Sequence, residues 1–433
     1  MTEVEQLEKI TVTPRKNLLG DITVPGDKSI SHRAAILSSI ANGTSIIKGF
    51  LESEDCLNTL RAFEHMGVSI NKLDAGVYSI YGVGLDGLSE PGDVIDVGNS
   101  GTAIRLLCGV LAGQRFYSVI TGDESIRRRP MGRVVNPLRE MGAQIMGREN
   151  GDKAPLSIYG GGLRPIRHRS SIASAQVKSA ILLAGLFADG ETAVIEPALS
   201  RNHTELMLQA FGADVRARGA EVSVVGRPNL KAQQMTVPGD ISSAAYFITA
   251  AVITPSSQIT IRNVGINPTR TGILDVLRMM GADISVDNIR SEAGEPTADI
   301  TAKSSRLCGV NIAGDLVPRL IDEVPILSVA AAVADGVTII ADAEELRVKE
   351  TDRISTVISE LTKMGADIEE MPDGMIIHGV PKLKGAVCAS HGDHRIAMSC
   401  LIAGLSAEGE TTVLDTKNIA TSFPGFADIL DSL

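Results

Sequence analysis

Five stretches of the 433-residue chain collect side chains that can hold anions or move protons. "VPGDKSISHR", Val24 to Arg33, sets Lys28, Ser29, His32 and Arg33 just after a Pro-Gly-Asp turn. "GDESIRRRPMGR" carries Arg127, Arg128, Arg129 and Arg133 beside Pro130. In the second half, "EELRVKETDR" holds Arg347, Lys349, Glu350, Asp352 and Arg353, "HGDHRIAMS" holds His394 and Arg395, and the apolar "LIDEVPIL" contains Asp322 and Glu323. Guanidinium forks match carboxylate and phosphate oxygens in pairs, so three consecutive arginines ahead of a proline predict recognition of such a group. A surface helix face accounts for two of them, and alternating charge such as that of "EELRVKETDR" is by itself the pattern of a solvated face. A carboxylate that opens an apolar helix is either a cap or a tuned acid-base group.

The net charge is −11, and five Tyr, eight Phe and no Trp are too few for a nucleic-acid surface, which needs basic stripes and stacking aromatics. An anionic ligand must then be held by locally concentrated cations. Cys56, Cys108, Cys308, Cys388 and Cys400 are scattered without C-x-x-C spacing, which predicts reduced, buried thiols rather than disulfides or zinc. Met1 to Gly20 lacks the apolar core of a signal peptide, and no apolar run approaches the ~20 residues of a bilayer span. A soluble, cytoplasmic protein is expected, with no nucleic-acid or membrane partner.

The elements that position these residues repeat. "LREMGAQI" at Leu138 has counterparts "FEHMGVSI" at Phe63, "LQAFGADV" at Leu208, "LRMMGADI" at Leu277 and "LTKMGADI" at Leu361. Each predicts a helix closed by a left-handed glycine and followed at once by a strand. Before them runs a second pattern, an Ala/Leu-rich helix, a short turn and a β-branched strand, in six copies. Its turns lie at Gly43, Gly113, Gly190, Gly336 and Gly409, with Ser256 and Ser257 in the fourth copy, a period of about 72 residues. Segments such as "AILLAGLFA" are apolar all round, which predicts helices buried inside sheets.

"TVPGD" at Thr23 returns at Thr236, an offset of 213 residues. Two similar domains follow: residues 23–237 form one, residues 1–22 with 238–433 the other, with hinges near 22–26 and 235–240 and the site expected between them. The repeat also supplies an internal control. The offset maps Lys28 to Ile241, Ser29 to Ser242, His32 to Ala245 and Arg33 to Tyr246, so the fold needs the turn and a cap but not Lys28, His32 or Arg33.

Taken together, "PGDKSISHR", "GNSGT", "RRRPM", "SRNHTE", "RVKETDR", "GDHRIAM" and "ATSFPGF" resemble the 5-enolpyruvylshikimate-3-phosphate synthase family, and the matches run from Val24 to Phe426. The resemblance implies an α/β fold of two similar inside-out barrel domains, each of three βαβαββ units with buried parallel helices. It implies transfer of the enolpyruvyl group of phosphoenolpyruvate to the 5-hydroxyl of shikimate 3-phosphate, with loss of phosphate and no cofactor or metal. A monomer is expected.

By motif, the resemblance gives the shikimate phosphate to Lys28, Ser29 and Arg33, with Ser174, Ala175, Gln176 and Ser200 completing that pocket and Lys349 and Asp322 on the shikimate part. It gives phosphoenolpyruvate to Lys28, Asn99, Gly101, Arg129, Gln176, Arg353 and Arg395. Asp322 is implied as the base for the 5-hydroxyl and Glu350 as the group that protonates and deprotonates the methylene carbon, with Lys28 assisting. Ala175 stands where many relatives have Ser, Glu345 where some have Asn, and Thr421 where one class has Lys; the last two, with "SRNHTE", resemble the family's second class. The rival readings are the UDP-N-acetylglucosamine 1-carboxyvinyltransferase, whose loop cysteine has no counterpart between Cys108 and Cys308, and a non-catalytic anion-binding repeat scaffold.

Overall fold

The Ala/Leu-rich segments fold as six helices in a computed structural model that describes residues 8–433. They are α1 (Lys28–Ile40), α2 (Gly101–Ala112), α3 (Ala175–Gly185), α4 (Ile241–Ile253), α5 (Val324–Ala332) and α6 (His394–Ser406). Most of these helices carry apolar residues on nearly every side, which leaves no face suited to water. Burial follows: Ile30 to Ile40 in α1, Ile241 to Val252 in α4 and all of α5 are buried. The helices closed by the left-handed glycines are one-sided. Arg353–Lys363 buries Arg353, Ile354, Val357, Glu360 and Leu361, the spacing of a single helical face.

Five of the six inner helices open on a side-chain cap, because their first N–H groups have no partner within the helix. Asp27 accepts from Ile30 N–H at 2.8 Å, Ser100 from Ala103 at 3.1 Å and Ser174 from Val177 at 3.5 Å. Asp240 accepts from Ser242 and Asp393 from Arg395, both at 2.8 Å. At α5, Glu323 holds the cap position without such a bond, and Pro325 occupies the first turn, where no N–H is missed.

The expected left-handed glycines are found at all five helix ends, with φ of 87° at Gly67, 112° at Gly142, 96° at Gly212, 97° at Gly281 and 83° at Gly365. In the fourth copy Ser256 takes φ of 58°, a left-handed turn made without glycine. Close packing also uses glycine: a Cβ at Gly109 of α2 would run into the Ala180 carbonyl of α3.

Each copy closes one sheet. Ile95–Asp96 lies parallel to Tyr117–Thr121, which pairs antiparallel with Lys153–Tyr159, itself antiparallel to Gln144–Gly147. Asn311–Ile312, Val337–Ile340, Gly374–His378 and Asp367–Met371 repeat the same order. Among the described residues five sheets have four strands and one has three. Strands alternate inward and outward, as where Tyr78 and Ile80 are buried and Tyr81 between them and the turn is exposed.

Contacts divide the chain into two units, each with three sheets and its own hydrophobic core. One unit holds Gly26–Pro238 and Ser291–Glu295, with its core on α1, α2 and α3. The other holds the chain through Pro25, Gly239–Arg290 and Pro296–Leu433, with its core on α4, α5 and α6. The crossings fall between Pro25 and Gly26 and between Pro238 and Gly239, three residues and one residue after the boundaries read from sequence at 22/23 and 237/238. Residues 1–7 of that assignment lie outside the described residues. Two edge strands are exchanged near these crossings. Leu19–Thr23 leads into α1 but pairs with Gln258–Gly265, and Gln234–Thr236 leads into α4 but pairs with Asn42–Lys48. Among the described residues no helix is long and apolar enough to cross a membrane. The cysteines are free, and four are buried as expected, but Cys308, bridged to Asp335 outside any helix or strand, is exposed.

Candidate active site

In the unit built on α1, α2 and α3, the sequence-selected residues gather at the helix starts. Lys28 opens α1 and pairs with Asp55, a buried carboxylate of the helix Glu54–His65. The Lys28 side chain remains 23% exposed. Arg33, one turn on, is buried: its Nε donates to Thr204 Oγ1 at 2.6 Å, Nη1 to the Ser29 carbonyl at 2.9 Å and Nη2 to Ser179 Oγ at 2.7 Å. Burial lowers its pKa to about 10, which leaves it charged at neutral pH. Arg33 therefore braces Ser29 from beneath.

His32 is fully buried, with Nδ1 2.7 Å from Thr59 Oγ1 and Nε2 3.4 Å from Ser100 Oγ. Burial first, then the charges of Lys28 and Arg33, hold its pKa well below the usual value, so the ring is neutral. It joins α1 to the cap of α2, a role the sequence did not assign.

That cap is flanked by Asn99 and Gly101. Asn99 Nδ2 donates to Asp123 at 2.6 Å, and Arg129 Nη2 lies 3.5 Å from Asn99 Oδ1 and from Ser125 Oγ. A Cβ on Gly101 would stand 2.7 Å from Arg129 Nη1, so Asn99, Gly101 and Arg129 share one small space. Gln176 of α3 accepts from Arg105 and donates to Thr102 Oγ1 at 3.0 Å. Arg128 forms an exposed pair with Glu124 at 2.9 Å, the surface face allowed for above, and Arg127 donates to the Gly122 carbonyl at 3.1 Å. Ser174 caps α3, Ala175 is its first residue, and both Ser174 and Ser200 bond to the buried Glu196 at 2.8 Å.

In the unit built on α4, α5 and α6, the acids and cations of three motifs meet at Asp322. Its Oδ1 lies 3.3 Å from Arg353 Nη1 and 3.7 Å from Lys349 Nζ, and its Oδ2 lies 4.0 Å from Arg395 Nη2. Arg395 Nη1 also donates to the Asp322 carbonyl at 3.1 Å. Glu350 reaches Arg353 Nη2 at 2.6 Å, and the buried Asp393 reaches Arg353 Nε at 2.7 Å. Burial works against the charge of Arg353, but Asp393, Glu350 and Asp322 outweigh it and raise its pKa. Arg395 is raised likewise, burial being overcome chiefly by Asp322. The result is a carboxylate ringed by three cations, with a second carboxylate on one of them. Such a set can accept a proton at Asp322, pass one at Glu350 and hold an anion on the guanidinium groups.

The neighbouring motif residues divide differently. Glu323 neither caps α5 nor joins Asp322; its side chain is fully buried, accepting from Ser242 and lying 3.8 Å from Arg270. Arg347 is structural, tied to Asp352 at 2.8 Å, Glu370 at 2.9 Å and the Met371 carbonyl at 2.7 Å. Asp352 also caps the helix Arg353–Lys363. Glu345 is exposed, and Thr421 Oγ1 lies 3.5 Å from His394 Nδ1. The sequence passed over Asp55, Arg105, Glu196 and Asp393 as partners, since each lies on a different segment from the residue it holds. Among the described residues no group of three or more His, Cys, Asp or Glu could hold a metal ion.

The model of the EPSP synthase (3-phosphoshikimate 1-carboxyvinyltransferase) family matches residues 12–430. The chain is 58% identical over 416 residues to the 3-phosphoshikimate 1-carboxyvinyltransferase of Pelotomaculum thermopropionicum, covering 96% of each protein. It is 55% identical to that of Geobacter metallireducens, over 99% of each. The solved EPSP synthase of Acinetobacter baumannii superposes with a TM-score of 0.89 at 48% identity, covering 98% of both chains. The chain belongs to the EPSP synthase family.

Proposed function

We propose that this protein is a 3-phosphoshikimate 1-carboxyvinyltransferase, moving the carboxyvinyl group of phosphoenolpyruvate to the 5-hydroxyl of shikimate 3-phosphate and releasing phosphate. Family membership supports the activity, and the observation that carries the mechanism is Asp322 among Lys349, Arg353 and Arg395 with Glu350 on Arg353. Asp322 takes the proton of the 5-hydroxyl as its oxygen bonds to C2 of phosphoenolpyruvate. Glu350 delivers a proton to C3, giving a tetrahedral adduct. Glu350 then takes a proton back from the new methyl group as the C2–O bond to phosphate breaks, and the enol ether reforms. Lys28 assists the proton steps.

Charge develops on anions held by Arg129, Arg353 and Arg395, whose preorganised N–H groups need no reorientation as the reaction proceeds. Asn99, Gly101 and Gln176 border the phosphoenolpyruvate, and Ser29, Ser174, Ala175 and Ser200 the shikimate phosphate. Arg33, bonded to the Ser29 carbonyl, adds its charge at that phosphate, and Lys349 meets the shikimate ring. The test is release of inorganic phosphate with different acceptors. Release with shikimate 3-phosphate and none with UDP-N-acetylglucosamine is expected; folded protein that releases none with either overturns the reading.

A further inference from the structure

Glu196 and Lys178 are both almost wholly buried, each with a side chain 2% exposed, and no step above uses either. Glu196 follows the strand Glu191–Ile195; Lys178 lies in the first turns of α3. Oε1 of Glu196 accepts the Ser174 N–H at 2.8 Å, and Oε2 accepts the Ser200 hydroxyl at 2.8 Å. Lys178 Nζ sits 3.0 Å from the same Oε2, 2.7 Å from Glu205 Oε1 and 3.4 Å from the Ser200 carbonyl.

One carboxylate thus grips two segments at once. A carboxylate only accepts, so the single hydroxyl proton of Ser200 is committed to Glu196 as the protein stands. A phosphate dianion needs that proton as a donor. If Ser200 turned it outward, a buried Glu196 oxygen would lose a bond, which is costly unless another donor is already there. Lys178 is that donor.

We infer that the Lys178–Glu196 pair positions the phosphate pocket, with Glu196 parking the Ser200 hydroxyl and fixing the Ser174 turn, and Lys178 keeping Glu196 satisfied when Ser200 turns to the phosphate. The inference rests on the functional reading above, which sets Ser174 and Ser200 beside the shikimate phosphate. Lys178 and Glu196 are positioning residues and touch no substrate.

The test compares binding of shikimate 3-phosphate and of shikimate, which lacks the phosphate, by calorimetry to the wild type and to Lys178→Met. Loss of one partner of a buried charge pair should weaken shikimate 3-phosphate binding by about tenfold or more and leave shikimate binding within about threefold. Equal loss for both ligands, or none for either, overturns the inference and assigns Lys178 to folding alone. Wild-type protein that binds neither ligand overturns the functional reading instead. Should Lys178→Met not fold, amide exchange of the wild-type segment 172–176 decides. Slow exchange before ligand is added is expected, since Glu196 already holds the Ser174 N–H; exchange that slows only after shikimate 3-phosphate is added overturns the inference.

Discussion

The starts of α1 and α4 are two renderings of one piece of chain, and they differ in what fills them. Both follow "TVPGD", and both are capped by the aspartate of that motif, Asp27 on Ile30 and Asp240 on Ser242. At α4 the positions equivalent to Lys28 and Arg33 are Ile241 and Tyr246, buried at 1% and 2% exposure. Ser242 is consumed there by Glu323 and by Arg270, whose Nη2 donates to it at 2.6 Å. At α1 the charge stays partly open, with Lys28 held by Asp55 and Arg33 beneath Ser29. The same helix start serves as core in one unit and as a candidate anion site in the other. The turn and cap are common to both; the lysine and its buried partner are what α1 adds.

The sharpest way to break this contrast is at Lys28. Lys28→Met should lower kcat/KM by roughly a thousandfold. It should also destabilise the protein by about 3 kcal/mol, because Asp55 is left as an unpaired buried carboxylate. Adding Asp55→Asn should restore the melting temperature and leave turnover low; restored turnover would show that Lys28 matters only as a counter-ion.

The matched serines give the next test. Ser242→Ala should cost about 1–3 kcal/mol in chemical denaturation, since Glu323 and Arg270 lose a buried partner, with kcat/KM within about threefold. Ser29→Ala should do the reverse, raising KM for shikimate 3-phosphate with little change in stability. The same behaviour from both variants would erase the distinction.

His32 sharpens the contrast further, since Ala245 stands in its place at α4. Its folded pKa is well below 6.5. Below that pH the unfolded chain binds a proton that the folded chain refuses, so stability should fall on acidification by up to ~1.4 kcal/mol per pH unit. His32→Gln should flatten that part of the dependence, read as the difference between variant and wild-type unfolding curves from about pH 7 to 5. An unchanged slope would mean that His32 titrates freely.

The smallest effect is expected at Gly101→Ala. The new methyl would press on the Arg129 guanidinium and should raise KM for phosphoenolpyruvate by about tenfold, leaving that for shikimate 3-phosphate unchanged.

Much of this was legible because the chain repeats itself. The left-handed glycines, the inner helices and the residues at their starts recur on a fixed period, so position within a copy could be read without structure. The internal copy even separated Lys28, His32 and Arg33 from the turn that carries them. What could not be read is pairing between segments. Asp55 lies in a helix of ordinary amphipathic pattern, Glu196 at a strand end and Asp393 at a cap, and nothing local marks any of them as the partner of Lys28, Lys178 or Arg353. Asp322 and Glu323 are adjacent and alike in sequence, yet one meets three cations and the other is sealed against Ser242, a difference set by which way a short 3-10 turn points each side chain. The exchanged edge strands were hidden for a similar reason. They are only five and three residues long, and strand partnership is decided by distant chain.

The most direct test of the central claim, that the carboxylates of Asp322 and Glu350 carry the proton transfers, is the turnover of Glu350→Gln measured beside its affinity for shikimate 3-phosphate. Turnover should fall by about a hundredfold or more while affinity stays within about threefold. Near-normal turnover in the folded variant would contradict the account and remove Glu350 from the mechanism.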